Sequence, residues 1–184
     1  MEEIDIPEGV IVDVQDMKVV VKGVKGTVEK DFDDPRFSSD VKIEKKGKNI
    51  IVENKSEKKK SRAFAGSVGA HIRNMVKGVT EGYKYTMKIV YTHFPMNATT
   101  AKNEVHIKNY LGEKGARIAK IQGSARVHID KEEIVVTGHD IESVGQTAAN
   151  IERACKLRGR DRRIFQDGIF ITHKTTEAGE KIRR

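Results

Sequence analysis

Residues 40–53 read DVKIEKKGKNIIVE, and residues 126–137 read RVHIDKEEIVVT. In Asp40-Val41-Lys42-Ile43-Glu44 and in Arg126-Val127-His128-Ile129-Asp130 apolar and polar residues alternate. After a Lys-Lys-Gly-Lys turn in the first stretch and Lys131-Glu132 in the second, apolar runs follow in Asn49-Ile50-Ile51-Val52-Glu53 and Glu133-Ile134-Val135-Val136-Thr137. A period of two with one polar face predicts a β-hairpin in each place. The period then changes. Phe64, Val68, Ile72, Met75, Val76 and Val79 follow the first hairpin, and Ile141, Val144, Ala148, Ile151 and Cys155 follow the second. Both spacings lay one apolar stripe along a helix, ready to cover a sheet.

The correspondence extends upstream. Lys18-Val19-Val20-Val21-Lys22 leads into Gly23-Val24-Lys25-Gly26, and Glu104-Val105-His106-Ile107-Lys108 leads towards Gly112-Glu113-Lys114-Gly115. An earlier strand precedes each, over residues 10–14 and 83–91. The predicted order is therefore five strands and a helix, twice, in copies of about eighty-five residues. The fold class is α+β, with two tandem homologous domains. Each is a small, mostly antiparallel sheet with one main helix packed on it, and a basic C-terminal extension follows. The domains are expected at 1–82 and 83–175, with a basic tail at 176–184. Past the second helix, Gly159 stops the pattern, and Gln166-Asp167-Gly168 reads as a turn between short extended arms. The closing HKTTEAGEKIRR reads as a mobile tail.

The chain has 184 residues, 37% apolar and 34% charged, with a formal net charge of +8. Such a balance points to a polyanionic partner. The charge is also segregated. Residues 1–40 sum to −6, residues 41–62 to +6 and residues 153–184 to +6. No apolar run approaches the length of a membrane span, and MEEIDIPEGV lacks the basic and apolar regions of a secretory signal. Cys155 is alone, which removes disulfide scaffolds and cysteine-based zinc fingers. A soluble, cytoplasmic protein is expected, with no membrane partner.

Catalytic chemistry finds little support. Ser67 and His71 are four apart on the first helix, but no third residue is placed to orient the imidazole. Asp33-Asp34 precedes Pro35 and Glu132-Glu133 sits in a hairpin turn, so solvated turns explain both pairs. The six histidines are scattered without metal-ligand spacing. Asn97-Ala98-Thr99 matches a glycosylation acceptor, which is empty without a secretory signal. Neither an enzyme nor a cofactor is expected.

Nucleic-acid chemistry is better represented. Residues 153–163, RACKLRGRDRR, hold six cations and one anion. Five are arginines, whose planar fork meets phosphate bidentately, and they end a helix where cations are favoured. Arg153, Lys156, Arg158, Arg160, Arg162 and Arg163 are the expected RNA anchor, joined by Lys174 ahead of the tail. Lys114, Arg117 and Lys120 form a second expected patch beside Gly112 and Gly115. GEKGARIAKIQG has two readings: a KH-type loop that clamps a phosphate backbone and opens a helix, or glycines at a strand junction. Only Tyr110 and Leu111 separate the preceding strand from Gly112, which leaves no room for the helix that a KH domain places there. The alternative function is thus a free KH-like regulator binding single-stranded RNA. Residues 55–62, KSEKKKSR, read as a second basic loop that is either solvated or in contact with a polyanion. Four Tyr, six Phe and no Trp are few for a stacking platform. Recognition of folded RNA by shape and phosphate is expected instead.

Three segments carry a resemblance. Lys22-Gly23-Val24-Lys25-Gly26 is similar to a K-G-P-K-G pattern, with Val24 in place of proline. Residues 70–82, AHIRNMVKGVTEG, and residues 144–151, VGQTAANI, are long and specific strings. Over essentially its whole length the chain resembles the L6 family of large-subunit ribosomal proteins in its archaeal form. Residues 160–169 also follow the style of archaeal and eukaryotic relatives, not the bacterial Pro-Glu-Pro-Tyr-Lys-Gly-Lys-Gly type. The resemblance implies two α+β domains from an internal duplication and no catalytic activity. It implies a structural constituent of the large subunit whose partners are large-subunit rRNA and neighbouring ribosomal proteins. It further implies a C-terminal domain near the sarcin–ricin loop, with translation factors nearby.

Overall fold

A computed structural model of the chain describes residues 2–36 and 40–182. The fold is α+β, and its two compact units divide between Glu81 and Gly82.

In the first unit, β1 (Glu2–Asp5), β6 (Asn49–Asn54) and β5 (Val41–Lys46) form one antiparallel sheet in the order β1-β6-β5. A meander of β2 (Ile11–Gln15), β3 (Lys18–Gly23) and β4 (Gly26–Asp31) forms the other. The predicted hairpin pairs Ile43 with Val52, and its alternation turns Val41, Ile43, Ile50 and Val52 inward. Helix α1 (Lys59–Thr80) covers this interior with Val68, Ile72, Met75, Val76 and Val79 buried and Phe64 packed at the margin. Each such fully buried branched side chain contributes about 2 kcal/mol through removal of apolar surface from water. The end of α1 docks closely on the meander. The Lys25 N–H donates to the Val79 carbonyl (3.0 Å), and a Cβ at Gly23 would lie 2.8 Å from that oxygen. Only glycine fits there.

The second unit repeats the plan with one strand more. A meander of β8 (Asn97–Ala101), β9 (Glu104–Lys108) and β10 (Arg117–Lys120) faces a sheet ordered β11-β12-β7-β13. The four strands are β7 (Tyr83–Val90), β11 (Arg126–Asp130), β12 (Glu133–Gly138) and β13 (Gly168–Thr176). Helix α2 (Ile141–Ala154) buries Val144, Ala148 and Ile151, with Cys155 just beyond its end. Its start is well capped, because the Asp140 carboxylate accepts from the N–H groups of Glu142 and Ser143 (3.1 and 3.0 Å).

The structure corrects the upstream half of the predicted repeat. Among the described residues each copy holds six strands before its helix, not five. The counterpart of β7 is β1, since each pairs with the second strand of its hairpin. The counterpart of β2 is β8. Strand β1 offers one buried apolar residue, Ile4, and β8 is Asn-Ala-Thr-Thr-Ala, so neither carries a hydrophobic alternation. Residues 117–120 form strand β10, so of the two readings of GEKGARIAKIQG the strand junction holds and no helix opens there. Asp167 is buried in place of occupying a solvated turn, and the arm after it extends through nine residues of β13.

The expected mobile tail also folds. Thr176 is buried, its N–H donates to the Glu180 carbonyl (2.8 Å), and the Ile182 N–H donates to the Lys174 carbonyl (3.1 Å). A bridge between Thr175 and Lys181 closes this return, and Ile182 packs on the core of the unit. Arg183 and Arg184 of that predicted tail lie outside the described residues.

Candidate nucleic-acid interface

The basic tract begins where α2 ends. Arg153 lies in the last helical turn, where the helix dipole favours a cation. Lys156, Arg158, Arg160, Arg162 and Arg163 follow in irregular chain, all exposed. Among the described residues, none of these six cations is bridged to a carboxylate. Their charge is therefore available to a partner.

The irregular chain is nevertheless held. The Asp161 carbonyl accepts from the N–H groups of Ile164 (3.2 Å) and Phe165 (3.0 Å), and its carboxylate accepts from the Arg163 N–H (2.9 Å). The Phe165 ring stacks on His93 at 4.6 Å, and the Arg160 guanidinium lies 4.9 Å from the same ring. His93 Nδ1 lies 2.8 Å from the Asp167 carboxylate, which also accepts from the Thr92 N–H (2.6 Å), the Thr92 hydroxyl (3.1 Å) and the His93 N–H (3.2 Å). Burial would push the Asp167 carboxyl up, but these donors from His93 and Thr92 prevail and hold it at about 2. A charge-assisted clasp between residues 92–93 and 167 thus fixes the far end of the tract.

The near end is fixed by Arg117. Its guanidinium donates to Glu113 (2.8 and 2.6 Å) and to the carbonyls of Ala154 (2.8 Å) and Lys156 (3.4 Å), and it covers the Tyr110 ring at 4.1 Å. The hydrogen bond from Arg117 lowers the Glu113 carboxyl, assisted by the nearby charge of Arg160. One residue thus ties the β9–β10 connection to the end of α2. It brings Gly112, exposed Lys114 and Gly115 beside the basic tract. Gly112 adopts a φ of +78°, while a Cβ at Gly115 would meet nothing within 4 Å.

Two expected members stand apart. Lys120 lies three residues from Arg117 on β10 and so on the opposite face of that strand. Lys174 sits opposite Tyr85, with its ammonium 5.5 Å from that ring, six residues beyond the start of β13 and eleven beyond the tract. The catalytic candidates remain structural. The Ser67 hydroxyl donates to the Ala63 carbonyl (3.1 Å) while His71 Nδ1 lies 3.3 Å from the Lys30 ammonium, so the two do not form a dyad. The hydrogen bond from Arg36 holds Asp34 at about 2, in an exposed turn. Among the described residues no cluster of metal-binding side chains occurs, and no helix is long and apolar enough to cross a membrane.

His93, Phe165 and Asp167 are the members that sequence reasoning missed. Their roles arise from a 74-residue separation between His93 and Asp167, which no local pattern signals. Beside the clasp, the tract and the start of β13 enclose an open cavity of about 550 Å³, bordered by Arg153, Lys156, Leu157, Arg162 and Phe170.

The chain matches the family described as Ribosomal protein L6 over residues 6–82 and 94–168, one match in each unit. It is 48% identical over 180 residues to the large ribosomal subunit protein uL6 of Sulfurisphaera tokodaii, covering 98% of this chain and 95% of that protein. The same-named protein of Staphylothermus marinus is 48% identical, covering 92% of each chain. That of Methanocella arvoryzae is 45% identical, covering 95% of this chain and 97% of its own.

Proposed function

Because this chain belongs to the ribosomal protein L6 family, whose members are structural ribosomal proteins and not enzymes, we propose that its second unit anchors large-subunit rRNA. The contact surface is the tract after α2 together with the β9–β10 connection. The observation that carries the reading is the set of six exposed cations without a carboxylate partner among the described residues, held on ordered backbone at both ends. Five are arginines, suited to paired hydrogen bonds with phosphate oxygens. Preorganisation matters here, because an anchor that is ordered before binding loses less conformational freedom when RNA arrives.

Along its length the tract neutralises phosphates and releases counterions, so affinity falls steeply with salt. Such contacts fix the position and orientation of RNA helices without reading sequence. The family resemblance supports a finer location near the sarcin–ricin loop and the region where translation factors bind. Neighbouring large-subunit proteins would complete the surroundings of the chain in the cytoplasmic ribosome.

The KH-like alternative loses its geometry. The Gly112–Gly115 segment connects two antiparallel strands, and among the described residues only a three-residue 3-10 turn at Tyr110–Gly112 lies beside it, where a KH domain would place an α-helix. The test is a chain carrying Arg160→Glu, Arg162→Glu and Arg163→Glu together. Its affinity for large-subunit rRNA should fall by at least roughly tenfold, with the melting temperature nearly unchanged. Undiminished affinity would overturn the anchor.

A further inference from the structure

The cavity beside the basic tract has a composition that phosphate neutralisation alone does not use. It holds about 550 Å³, within the roughly 300–1,000 Å³ of sites that accept small ligands. Arg153, Lys156 and Arg162 border it with three cations, while Leu157 and Phe170 contribute apolar surface. Phe170 is 39% exposed. Its ring folds over Gly168, where an added Cβ would lie 2.9 Å from the ring. Phe165, the neighbouring aromatic, is occupied by His93 and Arg160. Among these two rings, Phe170 is the one left open to a partner.

We infer that this cavity receives one unstacked nucleotide of the bound RNA. The base lies against Phe170 and Leu157, and its phosphate is met by Arg153, Lys156 and Arg162. An exposed aromatic ring beside two arginines and a lysine suits a nucleotide, whose base can stack on the ring while its phosphate accepts hydrogen bonds. Glu152, also on the border, offers a carboxylate acceptor to an exocyclic amine of the base. The other carboxylate there, Asp167, is already held by Thr92 and His93 and does not compete for the cations. The inference rests on the proposed rRNA anchor and adds to it a base contact, where sequence reasoning foresaw only shape and phosphate.

The test has two arms on the full chain. In the first, isotope-labelled protein is titrated with the four nucleoside 5′-monophosphates, ribose 5-phosphate and inorganic phosphate. Saturable ring-current shifts at Leu157, Gly168 and Phe170 are expected with the nucleotides alone, at a dissociation constant on the order of 1 mM. Equal shifts with ribose 5-phosphate or phosphate would overturn the base contact, as would no saturable shift. In the second, Phe170→Ala should weaken binding to large-subunit rRNA roughly tenfold with an unchanged salt slope, and Phe170→Tyr should restore it. Wild-type affinity in Phe170→Ala alongside lost affinity in the triple arginine reversal would overturn the base contact alone. Binding of wild-type chain to rRNA no tighter than to transfer RNA would instead overturn the anchor on which the inference depends.

Discussion

Asp167 shows how much one residue can organise. Its carboxylate is buried and accepts four hydrogen bonds from Thr92 and His93, two residues far away in sequence. Those bonds favour the ionised form, so its folded-state value of about 2 lies below the ordinary 3.8. A depressed carboxyl stabilises the fold fully above its unfolded value and loses that contribution as pH falls through the folded one. The stabilisation, about 2 kcal/mol by linkage, is present at neutral pH and fades between about pH 4 and pH 2. Asp167→Asn should therefore melt well below the parent chain at pH 7, and the gap should narrow as the pH drops below 4. A gap that stays constant across that range would contradict the clasp. The sequence displayed Asp167 only as part of a Gln-Asp-Gly turn, because its partners are set by tertiary contact. The six cations were legible from charge and residue type alone. The ties that hold them, Arg117 on the helix end and Phe165 on His93, were not.

Among the elements, legibility follows hydrophobic period. The two hairpins and two helices carry strong alternation or a clear helical stripe, and they fold where those patterns lie. Strands β1 and β8 carry neither, since each is an edge strand fixed by backbone pairing with a neighbour. The final return after β13 is similarly silent in sequence, being mostly polar. Its backbone bonds at Thr176 and Ile182 should give measurable hydrogen-exchange protection. Exchange of both amides at unstructured-chain rates would restore the mobile tail. At the opposite unit, Gly23→Ala should cost about 2 kcal/mol, because the added methyl meets the Val79 carbonyl at the end of α1. Denaturant unfolding checks this, and an unchanged midpoint would mean that the helix end can move away.

Across the whole molecule paired and unpaired cations occur in both units. Lys55, Lys58, Lys59, Lys60 and Arg62 of the first are exposed and have no carboxylate partner among the described residues, and residues 59–62 of that expected basic loop open α1 instead. In the first unit, Lys18 bridges Glu29, Lys42 and Lys46 flank Glu44, and Arg73 meets Glu2. Such exposed pairs add little stability, but they cancel field at the surface. Among the described residues the six cations of the tract that ends α2 form no such pair, and their field extends into solvent. Segregated charge was readable from the sequence and pointed to a polyanion; which cations are free and which are held was decided by the fold. Arg117, one of the expected contacts, is consumed by Glu113 and two carbonyls and serves as a brace. The most direct measurement is binding of the intact chain to purified large-subunit rRNA over a salt series, with excess transfer RNA as competitor. Binding in the nanomolar range should survive the competitor, and with about five phosphates engaged the logarithm of affinity should fall with a slope of about −4 against log salt. Equal affinity for rRNA and transfer RNA, at any salt, would contradict the account.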